Sequence, residues 1–151
     1  MYKVVPISNE ICDQVRATLA SPQYKHPASV SVAKGYGPCR SCLETFNEGE
    51  EDRILFTYNS FEGLADLPLP GPVFVHADKC TSYDQSGFPA DLKKLPLLLE
   101  GFSEADMLIR ERIDPDRVDG QIGEIFRREE VRFINIRNAE AGCFVARVDR
   151  L

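Results

Sequence analysis

Two short polar clusters set the hardest constraint on how this chain folds. Cys39-Arg40-Ser41-Cys42 follows a turn rich in glycine, and His76-Ala77-Asp78-Lys79-Cys80 follows the apolar run Val73-Phe74-Val75. Together they hold three of the five cysteines and one of the two histidines. Thiolates and an imidazole are the ligand set of a tetrahedral zinc site. If the clusters form one site, the turn after Gly35 and Gly37 must lie against the end of the strand that carries His76.

The spacing fits that reading. Cys39 and Cys42 are a C-x-x-C pair, which presents two sulfurs from one tight turn to a single ion. Arg40 and Ser41 between them leave backbone N–H groups free to point at those sulfurs. His76 and Cys80 suit a strand end that turns back on itself. Cys39, Cys42, His76 and Cys80 would complete a Cys3His set holding zinc in a structural or scaffolding role. The long separation between the two pairs costs little, because loop-closure entropy rises slowly with length. A cross-brace of two zinc ions is excluded, since five cysteines and two histidines fall short of two full sets.

Three other readings stay open. The plainest has reduced cysteines near a turn, with His76 holding a hydrogen bond. A thiol redox site would use Cys39 as the nucleophile and Cys42 to resolve it, yet no βαβ unit surrounds the motif. A small-molecule site, or a thiol-dependent enzyme, would converge Arg40, His76 and Arg137 on an anionic ligand, with Cys80 or Cys143 as the reactive thiol. Histidine suits proton transfer near neutral pH, and arginine forks suit carboxylate or phosphate. No catalytic residue is singled out by sequence. The chain could also be an interaction module that uses the proline-rich stretch 59–72.

Composition narrows the setting. At 151 residues the chain is expected to form one domain, 1–151. Such a length buries roughly 68–70% of the unfolded surface, so no metal is needed merely to fold. The net charge of −6 argues against nucleic acid as a partner. No secretory h-region opens the sequence, and Leu95-Pro96-Leu97-Leu98-Leu99 is far too short to span a bilayer. The expected setting is cytoplasmic, without membrane, and the expected partner is an unidentified small molecule or protein. In a reducing compartment the cysteines are thiols or ligands rather than a disulfide framework.

Patterning predicts an α+β fold with a mostly antiparallel sheet, two principal helices and a C-terminal β-hairpin. An extended run over 2–8 leads to a helix capped by Ser8 or Asn9 and running to about residue 20. Its apolar face is Ile11, Cys12, Val15 and Leu19, which makes Cys12 a core residue rather than a site residue. Strands follow at 29–32, 52–58, 73–76, near 97–102 and 105–113. Asp114-Pro115 reads as a cap and first helical residue. Arg127-Arg128-Glu129-Glu130 and Glu48 to Asp52 read as solvated turns. The hairpin pairs 131–137 with 143–148. With Arg137 opposite Cys143, Ile134, Ile136, Phe144 and Ala146 share the core face, and a guanidinium lies beside a thiol.

Three segments carry a resemblance: Cys39-Arg40-Ser41-Cys42-Leu43, Gly71-Pro72-Val73-Phe74-Val75-His76 with Cys80, and Arg137-Asn138 with Gly142-Cys143-Phe144. They resemble a bacterial family catalogued as domain of unknown function 1203. The similarity extends from about residue 2 to Leu151. It implies a stand-alone domain and brings no established activity. It draws Cys39, Arg40, Cys42, His76, Cys80, Arg137 and Cys143 into one set.

Overall fold

The computed structural model describes residues 1–62, 70–104 and 106–151. Its elements are β1 (Tyr2–Val5), α1 (Asn9–Thr18), β2 (Ser29–Val32), β3 (Asp52–Tyr58), β4 (Gly71–His76), a single 3-10 turn (Asp91–Lys94), β5 (Leu97–Phe102), β6 (Met107–Arg112), α2 (Val118–Phe126), β7 (Phe133–Asn138) and β8 (Phe144–Arg150). Every strand pair is antiparallel. The strands form a five-stranded sheet in the order β1-β8-β7-β5-β6 and a three-stranded sheet in the order β2-β3-β4. The α+β architecture is the one the patterning predicts. The single sheet becomes two.

Each sheet has its own core. Alternation along β7 and β8 buries Ile134, Ile136, Ala146 and Val148, which pack with Ile122 and Ile125 of α2. The close approach of α2 needs Gly101, where a Cβ would come within 2.9 Å of Ile125 Cγ2 and 2.8 Å of Ile109 Cγ2. The second core joins Ile54 and Phe56 of β3, Val73 and Val75 of β4, Cys12 and Val15 of α1, and Cys39, Cys42 and Phe46. The C-x-x-C turn is therefore part of a hydrophobic core, not a surface excursion.

Helix α1 is capped as expected, with the Ser8 hydroxyl accepting from Ile11 N–H at 3.3 Å. It ends earlier than the periodicity suggests. Leu19 takes the left-handed conformation, φ 51°, and donates its N–H to Val15 O at 2.8 Å. That turns its side chain out of the buried face. At the start of α2, Asp114 does not cap the helix. Its carboxylate accepts from Asp116 N–H and its carbonyl from Arg117 N–H, so an extra turn precedes Val118.

The hairpin register is corrected by a bulge. Arg137 lies opposite Phe144, not Cys143, while Ile136 pairs with Ala146. The slipped residue moves Phe144 away from the face of Ile134 and Ile136 and against Tyr58, at 5.5 Å between ring centroids. Gly71 and Pro72, expected in the long connection, belong to β4. That strand is an edge, where a missing proline N–H is tolerated. Of the stretch 59–72, residues 63–69 lie outside the described residues, as does residue 105 of the run expected at 105–113.

Candidate metal centre

Three elements converge on one point. The turn carrying Cys39 and Cys42 is tied to its surroundings by main-chain bonds: Arg40 N–H to Phe74 O, and Ile7 N–H to Arg40 O, both at 3.0 Å. Leu43 closes it in the left-handed region at φ 60°, a conformation that costs a leucine of order 1–3 kcal/mol. Its side chain is fully buried in the larger core, and that burial offsets the strain. Strand β4 ends at His76, and the chain turns directly to Cys80.

The ligand atoms of Cys39, Cys42, His76 and Cys80 all lie within 4.8 Å of one another. Cys39 and Cys80 sulfurs are 3.8 Å apart, and Cys42 Sγ is 3.5 Å from His76 Nδ1. All five cysteines are free thiols. Cys39 is fully buried, Cys42 nearly so, and Cys80 is partly exposed. The four residues drawn together by spacing are together in space, in an arrangement compatible with a metal site.

Backbone donors serve the sulfurs much as the motif suggests. Ser41 N–H points at Cys39 Sγ at 3.5 Å, and His76 N–H reaches the same sulfur at 3.4 Å. Arg40 N–H does not join them, because it pairs with Phe74 O.

Two neighbours complete the environment. Glu51, one residue ahead of β3, places Oε2 at 3.2 Å from His76 Nε2. Arg16 of α1 donates Nη2–H to Cys80 Sγ at 3.4 Å and Nε–H to His76 O at 3.1 Å. Its other contact is Asp13, at 3.3 Å. Phe46 stacks edge-on against the imidazole, with centroids 4.7 Å apart.

Protons are shared unevenly within the cluster. Hydrogen bonds from Cys39 and then Cys42 hold the Cys80 thiol far below its ordinary range, against the effect of burial, and His76 adds a weaker pull in the same direction. The same contacts, led by that with Cys39, push Cys42 up. His76 is raised to about 10, first by its hydrogen bonds to Cys39 and Cys80, with burial acting against them. Glu51 sits below the usual carboxylate range, chiefly because Asn47 N–H donates to it and secondarily because of His76. Cys12, outside the cluster as expected, is raised to about 11 by burial.

The remaining candidates lie elsewhere. Arg40 is buried, donating Nε–H to Phe144 O at 2.8 Å and Nη1–H to Pro38 O at 2.6 Å, and burial lowers it to about 10. Arg137 donates to the buried Glu100 at 2.9 Å and to Gly142 O at 3.2 Å. Glu100 also receives Arg110 through two bonds, at 3.0 and 2.7 Å, and Asn135 at 3.0 Å. Cys143 lines a small cavity of about 40 Å³ with Arg137, Tyr58 and Phe61. The structure does not bring Arg137 and Cys143 into the Cys/His cluster, and the bulge separates the guanidinium from direct opposition to the thiol.

Sequence reasoning missed Glu51 and Arg16. Glu51 looked like part of a solvated acidic turn. The signal that finds it is strand register: Arg53 pairs with His76, so the residue just ahead of β3 reaches the end of β4. Arg16 borders the buried face of α1 next to Val15, and nothing in the helical period assigns it a partner.

A cleft of about 560 Å³ opens beside the cluster, lined by Cys42, Cys80, Thr81, Tyr83, Asp84 and Asp91 among others. Among the described residues, no helix is long and apolar enough to cross a membrane.

Comparison with protein families matches residues 36–150 to a family described as a protein of unknown function, DUF1203. No curated protein and no solved structure matches the chain. The matched span holds Cys39, Cys42, His76 and Cys80, and it begins later than the resemblance read from about residue 2. The chain belongs to the domain of unknown function 1203 family.

Proposed function

We propose that this chain, as one domain over 1–151, binds a single zinc ion through Cys39, Cys42, His76 and Cys80, in a structural role. The observation that carries the reading is the spacing of the ligand atoms. With Zn–S near 2.3 Å and Zn–N near 2.0–2.1 Å, a tetrahedron has S···S edges of about 3.8 Å and S···N edges of about 3.6 Å. The Cys39–Cys80 and Cys42–His76 separations are 3.8 and 3.5 Å.

The donor set supports zinc over harder cations, which prefer oxygen ligands. Nδ1 of His76 faces the sulfurs, and its far nitrogen meets Glu51. A carboxylate on the outer imidazole nitrogen fixes the ring and raises its basicity toward the metal. Three thiolates around Zn²⁺ carry a net charge of about −1, and the Arg16 guanidinium beside Cys80 complements it. Bound zinc would hold the C-x-x-C turn against the end of β4 and replace the protons that the metal-free cluster shares.

The reading fits a reducing, cytoplasmic setting, where thiolates persist. The competing reading, an anion site built on Arg40, His76 and Arg137, draws less support, because Arg40 and Arg137 are engaged with main-chain carbonyls and Glu100. Elemental analysis of purified chain, with a native thiol count, tests the proposal. It expects close to one zinc per chain, slow reaction of Cys39, Cys42 and Cys80, and a fall in melting temperature with chelator. Freely reactive thiols at all three positions with no metal would end it.

A further inference from the structure

We propose that the site is a peroxide-responsive zinc switch, in which Cys80 is the point of attack and a Cys39–Cys80 disulfide releases the metal. The inference rests on the zinc reading above.

The four ligands are not equally accessible. Cys39 is fully buried, Cys42 is 7% exposed and the His76 side chain 12%. Cys80 is partly exposed and lines the cleft of about 560 Å³. Four protein ligands leave a structural zinc no open coordination position, so an oxidant must act at a ligand sulfur rather than at the metal. Cys42 also borders this cleft but is buried, so Cys80 is the more accessible thiolate on a cavity large enough for a small oxidant together with water.

The partner sulfur is already in place. Cys39 Sγ is 3.8 Å from Cys80 Sγ, and a disulfide bond is about 2.05 Å long. Less than 2 Å of approach separates the two states, by that bond length. Cys143, the other partly exposed cysteine, hydrogen-bonds through its sulfur to Ala141 O, at 3.9 Å, and among the described residues to no second thiol.

The chemistry balances with hydrogen peroxide as the oxidant. The Cys80 thiolate attacks one peroxide oxygen, the O–O bond breaks, and hydroxide leaves, giving the sulfenic acid. The Arg16 guanidinium beside that sulfur supplies positive charge where the anion departs. The Cys39 thiolate then attacks the Cys80 sulfur, the S–S bond forms, and a second hydroxide leaves. Two thiolates lose one electron each, and peroxide gains both. Zinc, left with Cys42 and His76, dissociates. A dithiol reductant reverses the oxidation and restores the ligand set.

Zinc-loaded chain treated with hydrogen peroxide tests this, with released zinc read by a chromophoric chelator and disulfides mapped by peptide mass spectrometry. The expected result is one zinc released per chain, loss of two of the five free thiols, and a Cys39–Cys80 link. Dithiothreitol followed by zinc should restore loading, and a Cys143→Ser chain should respond like the native one. Retention of zinc, a Cys39–Cys42 link, or oxidation confined to Cys143 would overturn the proposal. A chain purified without zinc would count against the metal reading, and its disulfide map under peroxide would still decide the pairing.

Discussion

Glu51 Oε2 lies 3.2 Å from His76 Nε2, across 25 residues of sequence and between two antiparallel strands. The carboxylate also accepts Asn47 N–H at 2.7 Å, so its own position is fixed. That leaves Nδ1 of His76 as the nitrogen turned toward the sulfurs. Glu51→Gln preserves shape and removes the charge. Loss of such a partner typically costs 10–100-fold in metal affinity. Competition with a chelator of known affinity should show a drop of about that size, with the fold intact by circular dichroism. Unchanged affinity would separate Glu51 from the site.

Gly37 supports the same imidazole at one remove. Its φ is 94°, and a Cβ there would lie 2.4 Å from the Phe46 ring that packs on His76. Gly49 has a similar φ, 79°, with open space around it. Gly49→Ala therefore reports backbone strain alone, on the order of 1 kcal/mol. Gly37→Ala adds overpacking, roughly 1–3 kcal/mol more. Urea melts of the two variants should differ by that increment, and Gly37→Ala should also hold metal less tightly. Equal destabilisation would show that Phe46 gives way freely.

Arg40 reads as a clamp. Its guanidinium joins the C-x-x-C turn to Phe144 O and Pro38 O. Lysine has no planar fork and cannot reproduce both bonds. An unsatisfied buried carbonyl costs about 1–3 kcal/mol. Arg40→Lys should lose stability of that order in denaturant titration while keeping one zinc per chain. A variant of native stability would return Arg40 to the list of ligand-binding candidates.

Asp91 gives the fold a pH dependence outside the metal cluster. Its Oδ2 accepts from Thr45 N–H at 2.9 Å and from the Thr45 hydroxyl at 3.2 Å. The backbone N–H bond is the main cause of its lowered pKa. The folded chain thus binds the Asp91 proton less readily than the unfolded chain does. The stabilisation is complete above the unfolded carboxyl range, about 3.9, and is lost as pH falls through the lower folded value. Asp91→Asn should melt lower than native protein at pH 7, by about 1 kcal/mol of stability. The gap should close as the medium is acidified below about pH 4. A gap that persists there would assign the effect to packing.

Much of the site was legible because its ligands are local pairs. C-x-x-C and His76 with Cys80 each lie within a single turn, so spacing alone selects them. Strand alternation was equally legible over 52–58, where Ile54 and Phe56 are buried together. What escaped depends on long-range register. Glu51 becomes a partner of His76 only once β3 and β4 are aligned, and a bulge of one residue between Ile136 and Arg137 changes what Arg137 meets. The burial of Glu100 among Arg110, Arg137 and Asn135 was invisible for the same reason: its partners come from strands β6 and β7 flanking β5. Periodicity also cannot see a left-handed cap such as Leu19, whose backbone ends α1 while its residue type continues the pattern.

X-ray absorption at the zinc edge of the purified, zinc-loaded chain examines the coordination sphere itself. The account expects three sulfur scatterers near 2.3 Å and one nitrogen near 2.0–2.1 Å, with one sulfur lost in a Cys80→Ser chain. A first shell of oxygen and nitrogen alone, or a spectrum that Cys80→Ser leaves unchanged, would contradict it.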